Sequence, residues 1–170
     1  MTVPNDNLNL SGAKRRKLRF AACLLFSFFV LLLDYETKEA VISRFAVGDF
    51  LPVTPFFNLC HLRNTGAAFS FLSDAGGWQS TFFIVLSLTI SVLIVFWLWR
   101  EKTVFPSLGL SLILAGALGN CLDRVFRGSV VDFLDFHINA LHWPAFNVAD
   151  IAICLGALIL ILRELFKKER

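Results

Sequence analysis

Two aspartates, Asp132 and Asp150, lie in strongly apolar stretches of the sequence, VVDFL and NVADIAI, with no basic residue beside them. Inserting a carboxylate into a membrane costs about 2.5–3.5 kcal/mol of free energy, so each of these aspartates needs a neutralising partner or a function. If the chain brings the two side chains together, they would share a proton, because two close carboxylates cannot both ionise readily. Such a pair supplies a base that activates water and an acid that protonates a leaving amine, as in aspartic proteases.

The alternatives for this segment are structural roles or a metal site. Interfacial aspartates can stay solvated, and a helix N-terminus would by itself stabilise the Asp150 anion. Imidazole and carboxylate groups suit Zn²⁺, and four of them occur close together: Asp132, Asp135, His137 and His142. Residues five positions apart do not share a helix face, however, and there is no HExxH motif. We therefore expect no metal site here.

Other polar residues have simpler explanations. Asp34 and Lys38 are spaced i,i+4, which places them on one helix face as a pair that lowers each other's cost of burial. Asp123 and the adjacent Arg124 are consistent with an ion pair at a helix end, although Arg124 could also face the carbonyls of a ligand. The NTG sequence at residues 64–66 favours a turn.

The composition indicates a membrane protein. Of the 170 residues, 56% are hydrophobic and 19 are Phe, and the mean hydropathy is +0.68, which exceeds that of soluble domains. The net charge of +3 comes from basic clusters that flank the apolar runs. We therefore attribute the net positive charge to residues that set the orientation of the chain in the membrane, and we expect no nucleic-acid partner.

Four apolar runs are candidates for transmembrane helices, since about 20 apolar residues cross a hydrocarbon core of about 30 Å. The first must include Asp34 and Lys38, and the fourth includes Asp150. We predict one integral membrane domain over residues 1–170. Its parts are a flexible cytoplasmic tail at 1–13, spans at about 18–40, 78–99, 104–124 and 148–165, and extracytoplasmic segments at 41–77 and 125–147.

Basic residues indicate the orientation, because they cluster before the first run, between the second and third, and after the fourth. Both termini are therefore expected in the cytoplasm and the two longer segments outside. The FFNLCHL sequence of the first segment predicts a short, curved β-sheet. The predicted fold class is an all-α membrane protein with four transmembrane helices, a small extracytoplasmic β-sheet, and an interfacial loop or helix between spans three and four.

Four sequence blocks, in order along nearly the whole chain, resemble the motifs of the lipoprotein signal peptidase (signal peptidase II) family. The DQxTK-like block of the family corresponds to residues 34–38, its NxGaaFS block to 64–70, its GNxxDRxxxGxVVDF block to 119–133 and its FNxAD block to 146–150. Tyr35 departs from the pattern, because the family usually has Gln there. The departure affects a polar contact of the first helix and not the chemistry.

The resemblance implies that Asp132 and Asp150 are a catalytic dyad. The residues that would orient the substrate or the dyad are Asn64, Gly66, Asn120, Arg124 and Asn147, and the mainly structural polar residues are Asp34, Lys38 and Asp123. It implies a membrane aspartic endopeptidase that removes the signal peptide from lipid-modified prolipoproteins, just before their diacylglyceryl-cysteine. These precursors and membrane lipids would be its partners, in the bacterial cytoplasmic (inner) membrane, with the active site at the extracytoplasmic face and without a cofactor.

Two other functions remain open on the residues alone. A small proton-coupled transporter would explain intramembrane charges such as Asp34 and Lys38, although the sequence crowds its charges toward the outer face and shows no internal repeat. A non-catalytic membrane scaffold would need neither Asp132 nor Asp150.

Overall fold

A computed structural model describes residues 6–66 and 78–166 of the chain. Residues 1–5 of the predicted tail and 67–77 of the first predicted outer segment lie outside this description. In chain order the described elements are α1 (Asp6–Ile42), β1 (Phe50–Thr54), β2 (Phe57–Asn64), α2 (Trp78–Arg100), α3 (Val104–Arg127), β3 (Val130–Ile138), β4 (Leu141–His142) and α4 (Val148–Leu165).

Among the described residues, three helices are long and apolar enough to cross a membrane: Gly12–Ile42 of α1, together with α2 and α3. Many of their large apolar side chains are exposed, which suits contact with lipid. α4 occupies the range predicted for the fourth span, but it is not one of these three helices. The fourth span therefore stays a prediction.

The first helix begins earlier than the sequence suggested. α1 starts at Asp6, so residues 6–13, which we predicted to be part of a flexible tail, are helical. The run AKRRK at residues 13–17 consists of good helix formers, and extending an existing helix is far easier than nucleating one. The helix of the first span therefore extends toward the N-terminus through the basic segment.

α3 lies at the centre of the helical part and packs against each of the other three helices. Its closest neighbour is α4, and small residues allow the approach. A Cβ atom added to Gly109 would lie 2.9 Å from the carbonyl oxygen of Gly156, and one added to Gly119 would lie 2.6 Å from the Asp34 carboxylate. Because these α3 positions carry no side chain, α1 and α4 can approach the α3 backbone closely.

The four strands form one antiparallel series in the order β1-β2-β3-β4. The prediction of a small sheet in the first outer segment is confirmed, but the prediction of an interfacial loop or helix at 125–147 is wrong: α3 continues to Arg127, and β3 and β4 follow. In β3, Val130 pairs with Asn64 and Asp132 with Leu62 of β2. The valines and phenylalanines of VVDFLDF favour a strand once β2 offers this partner.

The sheet is fixed to the helices by a small apolar core. Val131 and Phe133 of β3 pack with Val41 near the end of α1, and Val148 at the start of α4 packs against the same cluster. This core holds β3 beside the first turn of α4. Asp132 and Asp150, which are 18 positions apart in the sequence, are carried by these two elements.

The opposite end of the helices is held by polar contacts around the α2–α3 turn. Arg19 of α1 donates a hydrogen bond of 2.7 Å to the carbonyl oxygen of Lys102. Arg163 near the end of α4 lies 3.8 Å from the carboxylate of Glu101. The first part of α1, the α2–α3 turn and the end of α4 are therefore on one side, and the sheet is on the other.

Candidate active site

Asp132 is a buried strand residue, with 4% of its surface exposed. Its carboxylate accepts hydrogen bonds from the side-chain amides of Asn147, at 2.7 Å, and Asn64, at 3.1 Å. Burial, together with the negative charge of Asp150, raises the pKa of Asp132 to about 6, against the opposing effect of the two amide hydrogen bonds. The side chain can therefore gain or lose a proton near neutral pH.

Asp150 lies in the first turn of α4, where it completes a capping box with Asn147. The Asn147 side chain accepts a hydrogen bond of 3.0 Å from the Asp150 amide, and the Asp150 carboxylate accepts one of 3.3 Å from the Asn147 amide. The other carboxylate oxygen accepts a hydrogen bond of 2.8 Å from the side chain of Asn120. Asp150 therefore has a structural role at the helix N-terminus, and its side chain also faces a cavity.

Both carboxylates line one cavity of about 510 Å³. Four of the residues that the sequence assigned to the pocket line it as well: Asn64, Gly66, Asn120 and Arg124. Its remaining wall is mainly apolar and comes from β3, from residues 143–146 and from α4: Val130, Trp143, Pro144, Ala145, Phe146, Ile151, Ile153, Cys154 and Leu155. The cavity thus joins a polar floor to an apolar wall.

Asn147, the fifth residue that the sequence assigned to the pocket, differs from the other four, because it is fully buried and does not line the cavity. Its Nδ2 donates to Asp132, and its Oδ1 accepts from the backbone of Asp150. It contacts both members of the proposed dyad from behind. Of the two tasks that the sequence left open, orienting the dyad or the substrate, the geometry supports the first.

Arg124 does not form the predicted ion pair with Asp123. Its guanidinium donates to the carbonyl oxygens of Gly66, at 2.6 Å, and Asn120, at 3.1 Å, and lies over the ring of Phe83 at 4.9 Å. Adjacent residues of a helix point about 100° apart, so Asp123 faces a different neighbour. Arg124 therefore holds the segment that follows β2 against α3 and lines the cavity.

A buried charge cluster is linked to Asp150 through Asn120. The Lys38 ammonium is 2.7 Å from the carboxylate of Asp34, as predicted, and 2.9 Å from that of Asp123. It also donates a hydrogen bond of 3.2 Å to the side chain of Asn120, whose amide group holds Asp150. Asp34 in turn accepts a hydrogen bond of 2.8 Å from the backbone of Ala149. The cluster thus fixes the position of the first turn of α4.

The sequence interpretation missed two polar partners. Arg127 pairs with Asp123 and with Glu39, and the i,i+4 spacing of Asp123 and Arg127 on α3 was an available signal for the first of these pairs. His142 lies 2.8 Å from the carboxylate of Asp135, a contact across a hairpin that no helical spacing would reveal. In the part of the chain that the structure describes, no group of three His, Cys, Asp or Glu side chains converges as a metal site.

The arrangement is suited to acid–base chemistry on a bound acyl group. The buried carboxylate of Asp132 and the half-buried one of Asp150 line one cavity, and each is fixed by amide hydrogen bonds. The raised pKa of Asp132 favours a shared proton. A water molecule between them could be deprotonated by one carboxylate while the other donates a proton. The apolar wall would exclude competing water.

The chain is similar to known proteins over most of its length. The model of the signal peptidase (SPase) II family matches residues 26–166. A lipoprotein signal peptidase of Ralstonia nicotianae is 52% identical over 142 residues, covering 82% of this chain and 82% of its own, and one of Burkholderia mallei is 51% identical over 147 residues, covering 85% and 88%.

The fold also has a solved counterpart. A bacterial membrane enzyme, whose structure was determined by the in meso method at 2.3 Å resolution, superimposes with a TM-score of 0.77 and 33% identity, covering 88% of this chain and 94% of that one. Family model and relatives agree over most of the chain, and the chain belongs to the signal peptidase II family.

Proposed function

We propose that this peptidase removes the signal peptide from lipid-modified prolipoproteins by cleaving before the diacylglyceryl-cysteine, with Asp132 and Asp150 as an aspartic dyad. The observation that carries the proposal is that two carboxylates, the buried one of Asp132 and the half-buried one of Asp150, line one cavity. The curated relatives are lipoprotein signal peptidases, which supplies the substrate class.

The reaction needs one proton shared between the two carboxylates. The ionised carboxylate takes a proton from water as the water oxygen attacks the scissile carbonyl carbon, and the protonated one stabilises the developing oxyanion by a hydrogen bond. Collapse of the tetrahedral intermediate breaks the C–N bond, and the proton taken from water passes to the leaving amine of the cysteine. Asn64, Asn120 and Asn147 keep the two carboxyl groups in place throughout.

The cavity wall matches the apolar part of such a substrate. Ile151 and Leu155 lie on one face of α4 and continue the cavity along the helix, away from the sheet. Signal-peptide side chains and the acyl chains of the lipid would bury apolar area there, at roughly 25 cal/mol per Å². Arg124 would fix the position of Gly66 in the cavity wall, since its guanidinium donates a hydrogen bond to the Gly66 carbonyl oxygen.

Membrane placement follows from the family and from the charge distribution. We place the enzyme in the bacterial cytoplasmic membrane with α4 as a fourth span. The end of the molecule that carries Arg19, the α2–α3 turn and Arg163 would face the cytoplasm, because basic residues concentrate there. The dyad would then face outward, at the depth where a lipid-anchored precursor presents its cleavage bond.

Substitution of each aspartate tests the mechanism. Asp132→Asn and Asp150→Asn, assayed in membranes with a lipidated precursor, should lower kcat by about 10²–10⁴-fold, the range for loss of a general acid or base. Asp49→Asn is the matched control, because the Asp49 carboxylate accepts a hydrogen bond from Ala46 in the loop before β1 and does not line the cavity. Wild-type cleavage by either dyad variant, correctly inserted, would end the aspartic mechanism.

A further inference from the structure

A second cavity of about 550 Å³ lies directly beside the active-site cavity. The two cavities meet at Asp132, because both are lined by Asn64, Asp132, Trp143, Pro144 and Ala145. Away from this junction they diverge: the first continues along α4, and the second continues over the sheet. A chain that crosses the dyad can therefore enter one cavity on each side of the bond that is cut.

The second cavity has a different chemical character from the first. Beyond the shared residues it is lined by Phe50, Leu62, Arg63, Thr65, Asp135 and His142, which belong to the sheet or directly follow β2. The buried Asp135 accepts hydrogen bonds from the side chains of Asn58, at 2.7 Å, and His142, at 2.8 Å, which ties β2 and β4 to β3. This wall is more polar than that of the first cavity, and none of the described residues that form it comes from the membrane-spanning helices.

We propose that the second cavity binds the polypeptide segment that follows the scissile bond, an extended polar peptide beginning at the lipid-modified cysteine. The inference rests on the proposed function, which places the cleaved bond at the dyad. The signal sequence and the acyl chains are apolar and match the first cavity, whereas the mature chain leaves the membrane and needs polar surroundings. The sheet-lined cavity is the one that opens from Asp132 in that direction.

Phe50 is the side chain that would make this cavity selective. It lies on β1 at the rim of the cavity, is 49% exposed and belongs to no part of the dyad's hydrogen-bond network. Its neighbour Leu51 is equally exposed, at 48%, but it points to the opposite face of the strand and lines neither cavity. The pair provides a specificity residue and a matched control on one strand.

The test compares two precursors with the same signal sequence and lipid. One ends at the amidated diacylglyceryl-cysteine, and the other continues for several polar residues. We expect the wild-type enzyme to cleave the longer precursor with a kcat/KM about tenfold higher, the effect of one well-packed side-chain contact. Phe50→Ala should lose most of this gain and still cleave the short precursor at the wild-type rate, and Leu51→Ala should keep the gain.

Three results would overturn the inference: equal kcat/KM for both precursors in the wild type, a gain that survives in Phe50→Ala, or an equal loss on both precursors in Phe50→Ala. If the wild type cleaves neither precursor, the proposed function itself fails, which is a separate outcome. An independent measurement uses Asp132→Asn and a precursor with a photoreactive residue placed second after the cysteine. Crosslinks to Phe50 or Leu62 support the site, and crosslinks confined to α4 contradict it.

Discussion

Asn147 donates a hydrogen bond of 2.7 Å from its side-chain amide to the carboxylate of Asp132. The oxygen of the same amide group accepts a hydrogen bond of 3.0 Å from the backbone of Asp150. One fully buried side chain therefore sets the position of a strand carboxylate and of a helix carboxylate at once. The separation of the proposed dyad depends on a residue that need not touch the substrate.

The two contacts of Asn147 can be separated by substitution. Asn147→Ser keeps an N-cap acceptor but is too short to donate to Asp132, so we expect nearly unchanged thermal stability and a fall in kcat of about 100-fold from misplacement of the dyad. Asn147→Ala should lose similar activity and, in addition, about 1 kcal/mol of stability with the cap. Thermal unfolding in detergent and single-turnover cleavage measure the two effects. An active Asn147→Ser enzyme would show that Asp132 needs no such donor.

The raised pKa of Asp132 predicts a pH-dependent rate. A working dyad holds one proton, and that proton is lost as the pH rises through about 6, so kcat/KM should fall above this pH. Asn64 donates a hydrogen bond that favours the ionised form of Asp132. Asn64→Ala should therefore move the falling limb to higher pH in a pH–rate profile, and a shift to lower pH would contradict the assignment.

The same group makes stability depend on pH with a definite sign. The folded protein binds the Asp132 proton more tightly than the unfolded chain, whose aspartates titrate near 3.9. The contribution of Asp132 to the free energy of unfolding should thus decrease as the pH rises from about 4 to about 6 and stay constant above that. Asp132→Asn should remove this part of the slope when unfolding is measured across that range.

Lys38 should be the most sensitive charge in the helical part, because it neutralises two buried carboxylates. Lys38→Met leaves Asp34 without its cation and should destabilise the protein by about 3–5 kcal/mol. The double variant with Asp34→Asn should recover part of that loss, since an amide is less costly to bury unpaired. Lys14→Met, at an exposed position of α1, is the control. Equal unfolding temperatures for Lys38→Met and Lys14→Met would refute the structural role.

The sequence predicts well whatever local spacing or an unusual residue type reveals. Long uncharged runs give α2 and α3, and the i,i+4 spacing gives the pairing of Asp34 with Lys38. The apolar settings of Asp132 and Asp150 single out two residues that line one cavity, and their catalytic role stays a prediction. All of these depend on neighbours within a few positions. They required no knowledge of which strands or helices meet.

The parts that failed depend on contacts between distant segments. Asp123 was assigned to its neighbour Arg124, but its partner Lys38 comes from α1, 85 positions away in the sequence. β3 was expected to be a loop or helix, because its strand forms only against β2. For Asn147 the resemblance left open whether it orients the substrate or the dyad, because a residue before a helix gives no sign in the sequence of its contact with a strand.

The approach of α3 to α4 gives the last prediction. A Cβ added to Gly116 would overlap the carbonyl oxygen of Ala149 and lie 2.7 Å from the side chain of Ile153, so Gly116→Ala must push the start of α4 away from α3. That movement should pull Asp150 from Asn120 and lower kcat, with a loss of about 1–3 kcal/mol from overpacking. Gly12→Ala, where nothing lies within 4 Å, should leave kcat unchanged and can stabilise α1 slightly. Wild-type cleavage and unfolding temperature in Gly116→Ala would mean that the first turn of α4 can shift without moving the carboxylate, and rigid helix packing would then not be what positions Asp150.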